Sequence, residues 1–389
     1  MKFAKLCRHT APFIAICMTC FTGCSQTHTR DANYSYSIPQ QLADGIKTGS
    51  IANSTLDSNK IIELTKLILK DSFPNIHSLL IAKDNKLIYE NYFSGKDENW
   101  GSNLGYVEHD YNILHDTRSI SKSVVAACID IAVQQKKIKS IDDPVFNYLP
   151  YYQEYRTSQN EKITIRQLLT MSSNIQWDED VPHGTSKNDE TQMERSSNPV
   201  RYVLTRLMKP GSDSAWKYNS GGVQVLAEII RSVSADNIDK FAEKYLFTLL
   251  GIKNYKWTKS HRKFPAAASG LRLTSRDLLK FGLLYLNNGQ WNGQQILSEN
   301  WVNETLRTQV YREKNDTTKG YSFLFWTETD SVETKTFDLI IARGNGGQRI
   351  FLHKASNLVV VVTAGNYNKK GIVNDGQRAL DKFILPALQ

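Results

Sequence analysis

The chain has 389 residues, 40% hydrophobic and 22% charged, which excludes a disordered, collagen-like or coiled-coil protein for its bulk. Lys and Arg number 48 against 39 Asp and Glu, a net +9 to which Lys2, Lys5 and Arg8 contribute at the extreme N-terminus. No dense Lys/Arg run occurs, so nucleic acid is not an expected partner.

Met1 to Arg8 is basic, and Ala11 to Phe21 is apolar. A permanent membrane-spanning helix needs about 20 apolar residues, so this shorter run reads as a secretory signal. It ends in Phe21-Thr22-Gly23-Cys24, which resembles a bacterial lipobox, with Phe21 where Leu is usual. The resemblance implies that residues 1–23 are removed and that Cys24 is lipidated. Ser25 after the cysteine implies an outer-membrane destination facing the periplasm in a Gram-negative cell. A plain signal cut nearby is the alternative. Of the five cysteines, Cys7, Cys17 and Cys20 leave with the signal, and only Cys128 remains as a free thiol. It lies on an apolar helical pattern, so a buried, inert thiol is expected.

Residues 24–60 are polar and read as a tether leading into a helix near Leu56–Leu69. Residues 61–389 then form the main domain. Ile76–Ala82 and Leu87–Phe93 flank Lys83-Asp84-Asn85-Lys86, a hairpin pattern. From Ser121 to Ile138 the apolar residues recur at helical spacing. A helical region spans about 141–270, with segments at Ile165–Met171, Val200–Leu207 and Val223–Val233. Thr274 reads as the N-cap of a helix reaching Leu286, with Asp277 three residues on. Strands are expected at Tyr321–Trp326, Phe337–Ala342, Arg349–Leu352 and Leu358–Thr363, then a final helix at Asp375–Leu385. This order predicts one antiparallel sheet built from both chain ends, with helices inserted between.

The sequence contains no G-x-S-x-G elbow, H-E-x-x-H or G-x-x-x-x-G-K-[ST] loop. The eight histidines are scattered, and no pair has helical ligand spacing, so no metal or other cofactor is expected. Ser-x-x-Lys occurs at Ser119/Lys122, Ser214/Lys217 and Ser260/Lys263. A serine needs a base to become nucleophilic, and on a helix residues three apart share a face. Only Lys122 opens a long apolar helix. Ser119 then falls at its first turn, where free N–H groups face a developing oxyanion. Ser is also a favoured N-cap, and local sequence alone leaves nucleophile and cap evenly matched.

Arg118-Ser119-Ile120-Ser121-Lys122-Ser123 resembles the nucleophile motif of the class C β-lactamase-related serine hydrolases. That group includes D,D-peptidases, family VIII-type esterases and 6-aminohexanoate-dimer hydrolases. Further matches follow in family order over about residues 75–385: Ile141-Asp142-Asp143-Pro144, Tyr148-Leu149-Pro150, Thr164-Ile165-Arg166-Gln167-Leu168-Leu169, Tyr218-Asn219-Ser220-Gly221-Gly222, Ser269-Gly270-Leu271 and Gly344-Asn345-Gly346-Gly347-Gln348. The resemblance implies an α/β (α+β) fold of β-lactamase/transpeptidase type. By position, Ser119 is the implied nucleophile, Lys122 its proton partner and Tyr218 the second acid or base, with a pKa lowered by nearby Lys122. The backbone N–H groups of Ser119 and Gln348 are the implied oxyanion hole. Ser220, Asn345, Gly346 and Gly347 are the implied substrate contacts, and the loop Trp177-Asp178-Glu179-Asp180 with His183 is a candidate pocket wall.

Asn345-Gly346-Gly347 departs from the Lys-Thr-Gly or His-Thr-Gly usual in penicillin-active relatives. The cation and hydroxyl that hold a substrate carboxylate are missing, and Arg343 is the remaining nearby charge. The expected substrate is a small-molecule ester or small amide, cleaved through an acyl-enzyme. A D,D-peptidase or β-lactamase is the first alternative, and a non-catalytic cell-envelope binding lipoprotein the second.

Overall fold

The computed structural model describes residues 34–209, 215–260, 264–369 and 371–388. The signal segment, Cys24, Ser214 and Lys263 lie outside them. In chain order, β1 (Lys47–Thr48) and α1 (Ser58–Leu69) precede the hairpin β2 (Ile76–Lys83) and β3 (Lys86–Tyr92). A second hairpin, β4 (Gly95–Asn99) and β5 (Ser102–Val107), precedes β6 (His115–Asp116) and α2 (Ile120–Gln134). The middle holds α3 (Ile165–Leu169), α4 (Asp189–Arg195), α5 (Pro199–Leu204), α6 (Ser220–Ser234) and α7 (Ile238–Ala242). Short strands β7 (Lys256–Trp257), β8 (Lys259–Ser260), β9 (Phe264–Pro265) and β10 (Leu271–Leu273) lead to α8 (Ser275–Leu286). After β11 (Gln290–Trp291), β12 (Gln294–Gln295) and α9 (Glu299–Thr305) come β13 (Val310–Glu313), β14 (Asp316–Tyr321), β15 (Trp326–Val332) and β16 (Lys335–Gly344). Then β17 (Gln348–His353), β18 (Leu358–Ala364) and α10 (Asp375–Ala379) follow.

Nine strands form one sheet in the order β1-β3-β2-β18-β17-β16-β15-β14-β13. All pairings are antiparallel except β1 with β3. Both chain ends meet where β18 pairs with β2, Leu358 opposite Lys83. The period-2 pattern divides the central strands between two cores. Leu80, Ala82, Val359 and Val361 join the core shared with α2, α6 and α8. Leu79, Ile81, Val360 and Val362 join the core under α1 and the C-terminal helix. Each fully buried Leu, Ile or Val contributes about 1.5–3 kcal/mol relative to exposure.

Several expectations match the observed elements. Asp84 and Asn85 turn the first hairpin at φ of 51° and 62°, a left-handed pair that Asp and Asn tolerate. Thr274 caps α8 by accepting the Asp277 N–H at 3.2 Å. Cys128 is buried, and burial raises its thiol pKa well above the ordinary range. Helix α2 is buried on nearly every face from Ile120 to Ala132, as befits a helix apolar all round.

Two expectations are corrected. Residues 34–60 belong to the domain rather than to a free tether. Tyr36 donates to Ile88 O at 2.9 Å, Ile46 and Ile51 are buried, and Asp44 pairs with Arg276 at 2.9 Å. Tyr321–Trp326 is not one strand: Tyr321 ends β14, Trp326 begins β15, and Ser322 to Phe325 form the connection between them. Its apolar residues Phe323, Leu324 and Phe325 are buried as a turn in the core, with Leu324 at φ 59° and its carbonyl accepting from Ser123 Oγ at 2.8 Å. An aromatic run reads alike in both settings, because periodicity cannot separate short buried segments.

Candidate active site

Ser119 stands at the N-cap position of α2, yet its side chain makes no capping bond. Its hydroxyl instead accepts a hydrogen bond from Lys122 Nζ at 3.0 Å. Lys122 is 1% exposed and also donates to Ala268 O at 3.1 Å. The Ser119 side chain is therefore not a helix cap in this structure. Arg118, just before the serine, adopts φ 49°, a conformation a non-glycine residue holds only at a cost. Its guanidinium is fixed by Glu98 and by Asp116 at 3.1 Å, and it lies over the Tyr367 ring. The β4–β5 hairpin, through Glu98, therefore anchors the residue that turns the chain into Ser119.

Tyr218 reaches the same point from the N-terminus of α6. Lys122 Nζ lies 5.0 Å from its ring centroid. The expected lowering of its pKa is corrected. Burial pushes the phenol well above its usual value, the Glu179 charge adds to this, and a hydrogen bond with Ser119 only partly opposes it. The resting phenol is protonated. Its ring stacks on Trp326 at 5.6 Å, within a cluster that includes Trp216 and Tyr321. Of the other Ser-x-x-Lys sites, Ser260 donates to Phe264 O at 3.3 Å, and Lys217 pairs with Asp180.

The implied substrate contacts of the second motif are turned inward. Ser220 is fully buried, and its hydroxyl donates to Glu179 Oε1 at 3.0 Å while its N–H donates to Oε2 at 3.1 Å. Trp177, expected at the substrate, is 2% exposed and donates to Glu179 Oε2 at 2.7 Å. It packs so tightly beneath α6 that a Cβ on Gly221 would stand 2.6 Å from its ring. The second glycine pair of the motif is therefore a packing requirement at Gly221. In the third motif, Asn345 spends both amide groups on Asn368, donating to its Oδ1 at 2.7 Å and accepting its N–H at 3.0 Å. Gly346 and Gly347 adopt φ of 93° and 99°. Arg343 is held by Glu328 and lies over Trp326. Gln348 is fully buried, its amide locked to Ala364 by bonds of 2.5 and 3.2 Å. At Gly344 an added Cβ would lie 2.2 Å from Thr117 O, so this end of β16 runs directly along the nucleophile loop.

Two carboxyl groups that the sequence did not single out complete the surroundings. Glu190 and Glu194 project from α4, with His183 Nε2 3.6 and 4.0 Å from their carboxylates. Ser269 donates to Glu194 at 3.2 Å. Burial, followed by the Glu190 charge, raises Glu179 to about 7 and Glu194 to about 8, while Lys122 pulls both down. Helix α4 is short and polar, without a periodicity to mark its inner face. A raised carboxyl pKa stabilises the fold fully below the ordinary Glu value of about 4.5, and that contribution is lost as pH rises through about 8. Glu194→Gln, neutral at every pH, should therefore raise Tm by about 2 °C at pH 9 and leave it unchanged at pH 5. Thermal scans at both pH values check this, and an equal shift at both would refute the charge argument.

The family model described as Beta-lactamase matches residues 77–381. A 6-aminohexanoate-dimer hydrolase of Paenarthrobacter ureafaciens is 25% identical over 211 residues, 52% of each chain. The chain spans about half the length of the curated relatives it matches. Among solved structures, a Bacillus anthracis protein provisionally named a 6-aminohexanoate-dimer hydrolase superposes with TM-score 0.67 at 18% identity, over 92% of this chain and 88% of that one. A class C β-lactamase from Rhodobacter sphaeroides gives TM-score 0.63 at 15% identity, over 86% and 100%. At those identities the likeness is one of fold, and it agrees with the α/β architecture and the implied β-lactamase/transpeptidase type. With the family model covering most of the described chain, the protein belongs to the β-lactamase family.

Proposed function

We propose that the protein is a serine hydrolase that cleaves an ester or small amide through an acyl-enzyme on Ser119. The observation that carries this reading is the buried Lys122 Nζ 3.0 Å from a Ser119 hydroxyl that caps nothing. In the proposed cycle Ser119 Oγ attacks the carbonyl carbon as its proton passes to Lys122 Nζ. The carbonyl oxygen is stabilised by the N–H groups of Ser119 and Gln348. The protonated Tyr218 hands its proton to the leaving alcohol or amine and is recharged from Lys122. Water then attacks the acyl carbon by the reverse proton route and frees Ser119.

The substrate class follows from charge. Arg343 and Asn345 are both engaged within the protein, and carboxyl groups of Glu179, Glu190 and Glu194 surround Lys122. An anionic substrate finds Arg343 already paired with Glu328, and a neutral one does not need it. The aromatic cluster around Trp326 suits an apolar acyl or alkyl group. The reading is tested by intact-mass labelling with a fluorophosphonate, with one adduct expected on Ser119. An unlabelled folded protein, or an adduct elsewhere, overturns it. The lipid anchor at Cys24 and an outer-membrane location remain part of the proposal, and they rest on the resemblance to a lipobox alone.

A further inference from the structure

Three histidines far apart in sequence converge behind the nucleophile loop. His77 lies on β2, His109 on the loop after β5, and His115 on β6. His77 and His115 meet at 2.8 Å, Nδ1 to Nε2, and the His109 ring stacks on His77 with centroids 4.0 Å apart. Asp97 of β4 joins them, its Oδ1 3.6 Å from His115 Nε2. Potential ligand atoms of His77, Asp97 and His115 all lie within 4.8 Å of one another, and all three residues are buried.

The outer hydrogen bonds fix where the protons are. Asn75 Oδ1 accepts the Lys96 N–H, and its Nδ2 donates to Lys96 O, each at 2.9 Å, which sets the amide orientation. His77 Nε2, 3.2 Å from that oxygen, is therefore the N–H donor. His115 Nδ1 is 3.2 Å from the Asp116 carbonyl, which only accepts, so it too carries its proton outward. The inner nitrogens, His77 Nδ1 and His115 Nε2, are then turned toward each other at 2.8 Å.

The charge balance has the same sign. Glu98 and Asp116 are matched by Arg118 and Arg272. Among the described residues no guanidinium forms an ion pair with Asp97. Tyr367 donates to its Oδ1 at 3.1 Å, but Oδ2 is buried without a hydrogen-bond partner, as is His109 Nε2. A buried carboxylate oxygen left unpaired is costly unless an ion completes it. Imidazoles that donate their outer N–H to oxygen acceptors are the usual setting of histidine ligands.

We propose that His77 Nδ1, His115 Nε2 and the Asp97 carboxylate bind a borderline divalent cation of the zinc type. Nitrogen and carboxylate ligands in this number suit zinc, whose bonds of about 2.0–2.1 Å hold two nitrogens about 3.3 Å apart. The two imidazoles therefore separate by about 0.5 Å on binding. The ion clasps β2, β4 and β6 together. Through Asp116 and Arg118 it steadies the turn into Ser119, so its role is structural. The proposal is independent of the hydrolase reading.

The test uses tag-free protein stripped with EDTA. Cobalt(II) titration should give one equivalent bound with the visible bands of a low-symmetry site, displaced by zinc. Zinc should also raise Tm. Asp97→Asn keeps the shape of the side chain and should weaken binding by about 100-fold, and His115→Ala should abolish it. Circular dichroism verifies the fold of each variant, and if His115→Ala does not fold, Asp97→Asn decides. Folded wild-type protein that takes up neither metal, or variants that bind as tightly as wild type, would overturn the site.

Discussion

Ser119→Ala should lose fluorophosphonate labelling and lower p-nitrophenyl butyrate turnover by about 10⁴–10⁶-fold, the scale on which a nucleophile and its base act as one unit. Lys122→Ala should cost nearly as much, because its Nζ is the buried group on the Ser119 hydroxyl. The sequence supplies its own controls. Ser214→Ala and Ser260→Ala remove hydroxyls from the same Ser-x-x-Lys pattern, and both should keep near-normal turnover. Ser260 bonds only a local carbonyl. Near-normal turnover in Ser119→Ala, with the fold intact by circular dichroism, would remove the serine from the mechanism.

The second large effect is discrimination between substrates. A carboxylate anchor of one cation and one hydroxyl is worth about 1.5–3 kcal/mol for each charge-assisted bond. This chain has Asn345-Gly346 there, with the Asn345 amide tied to Asn368 and Arg343 tied to Glu328. Without the anchor, kcat/KM for nitrocefin should fall about two to four powers of ten below that for the aryl ester. A neutral ester never used that anchor and loses nothing. Equal or greater kcat/KM for nitrocefin would make a β-lactamase the better reading. Asn345→Lys with Gly346→Thr is the less tolerant half of the test. Gly346 sits at φ 93°, and a Cβ there meets the Tyr367 ring at 2.4 Å.

What was legible in the sequence follows from how local each signal is. The Asp84-Asn85 turn and the Thr274 cap are decided within four residues, and both stand as read. The three residues implied as catalytic also come together, because family order encodes a contact that spacing cannot. The direction of Tyr218's pKa was misread, since the sequence gives the nearby lysine but not the burial or the charge of Glu179. Ser220, Asn345 and Trp177 were read as facing substrate. Ser220 bonds Glu179 and Asn345 bonds Asn368 from other segments, while Trp177 is turned inward by Glu179 of its own loop. The histidine cluster was invisible for a related reason: His77 and His115 meet between strands of separate sheets, where helical ligand spacing has no meaning.

The place of β18 in the sheet governs how the chain can be made. Its Leu358–Ala364 segment is synthesised long after β2, yet it pairs with β2 on one side and β17 on the other. Until it arrives, both neighbours present open hydrogen-bonding edges lined with Leu, Ile and Phe, and open edges recruit other chains. Closing such distant pairings is slow, because loop entropy must be overcome before the contacts form. Truncation after His353 would therefore not leave a smaller enzyme. It would leave two apolar strands with nothing between them, and the product would be aggregate. The central pairing of the sheet must consequently wait until β18 has been made.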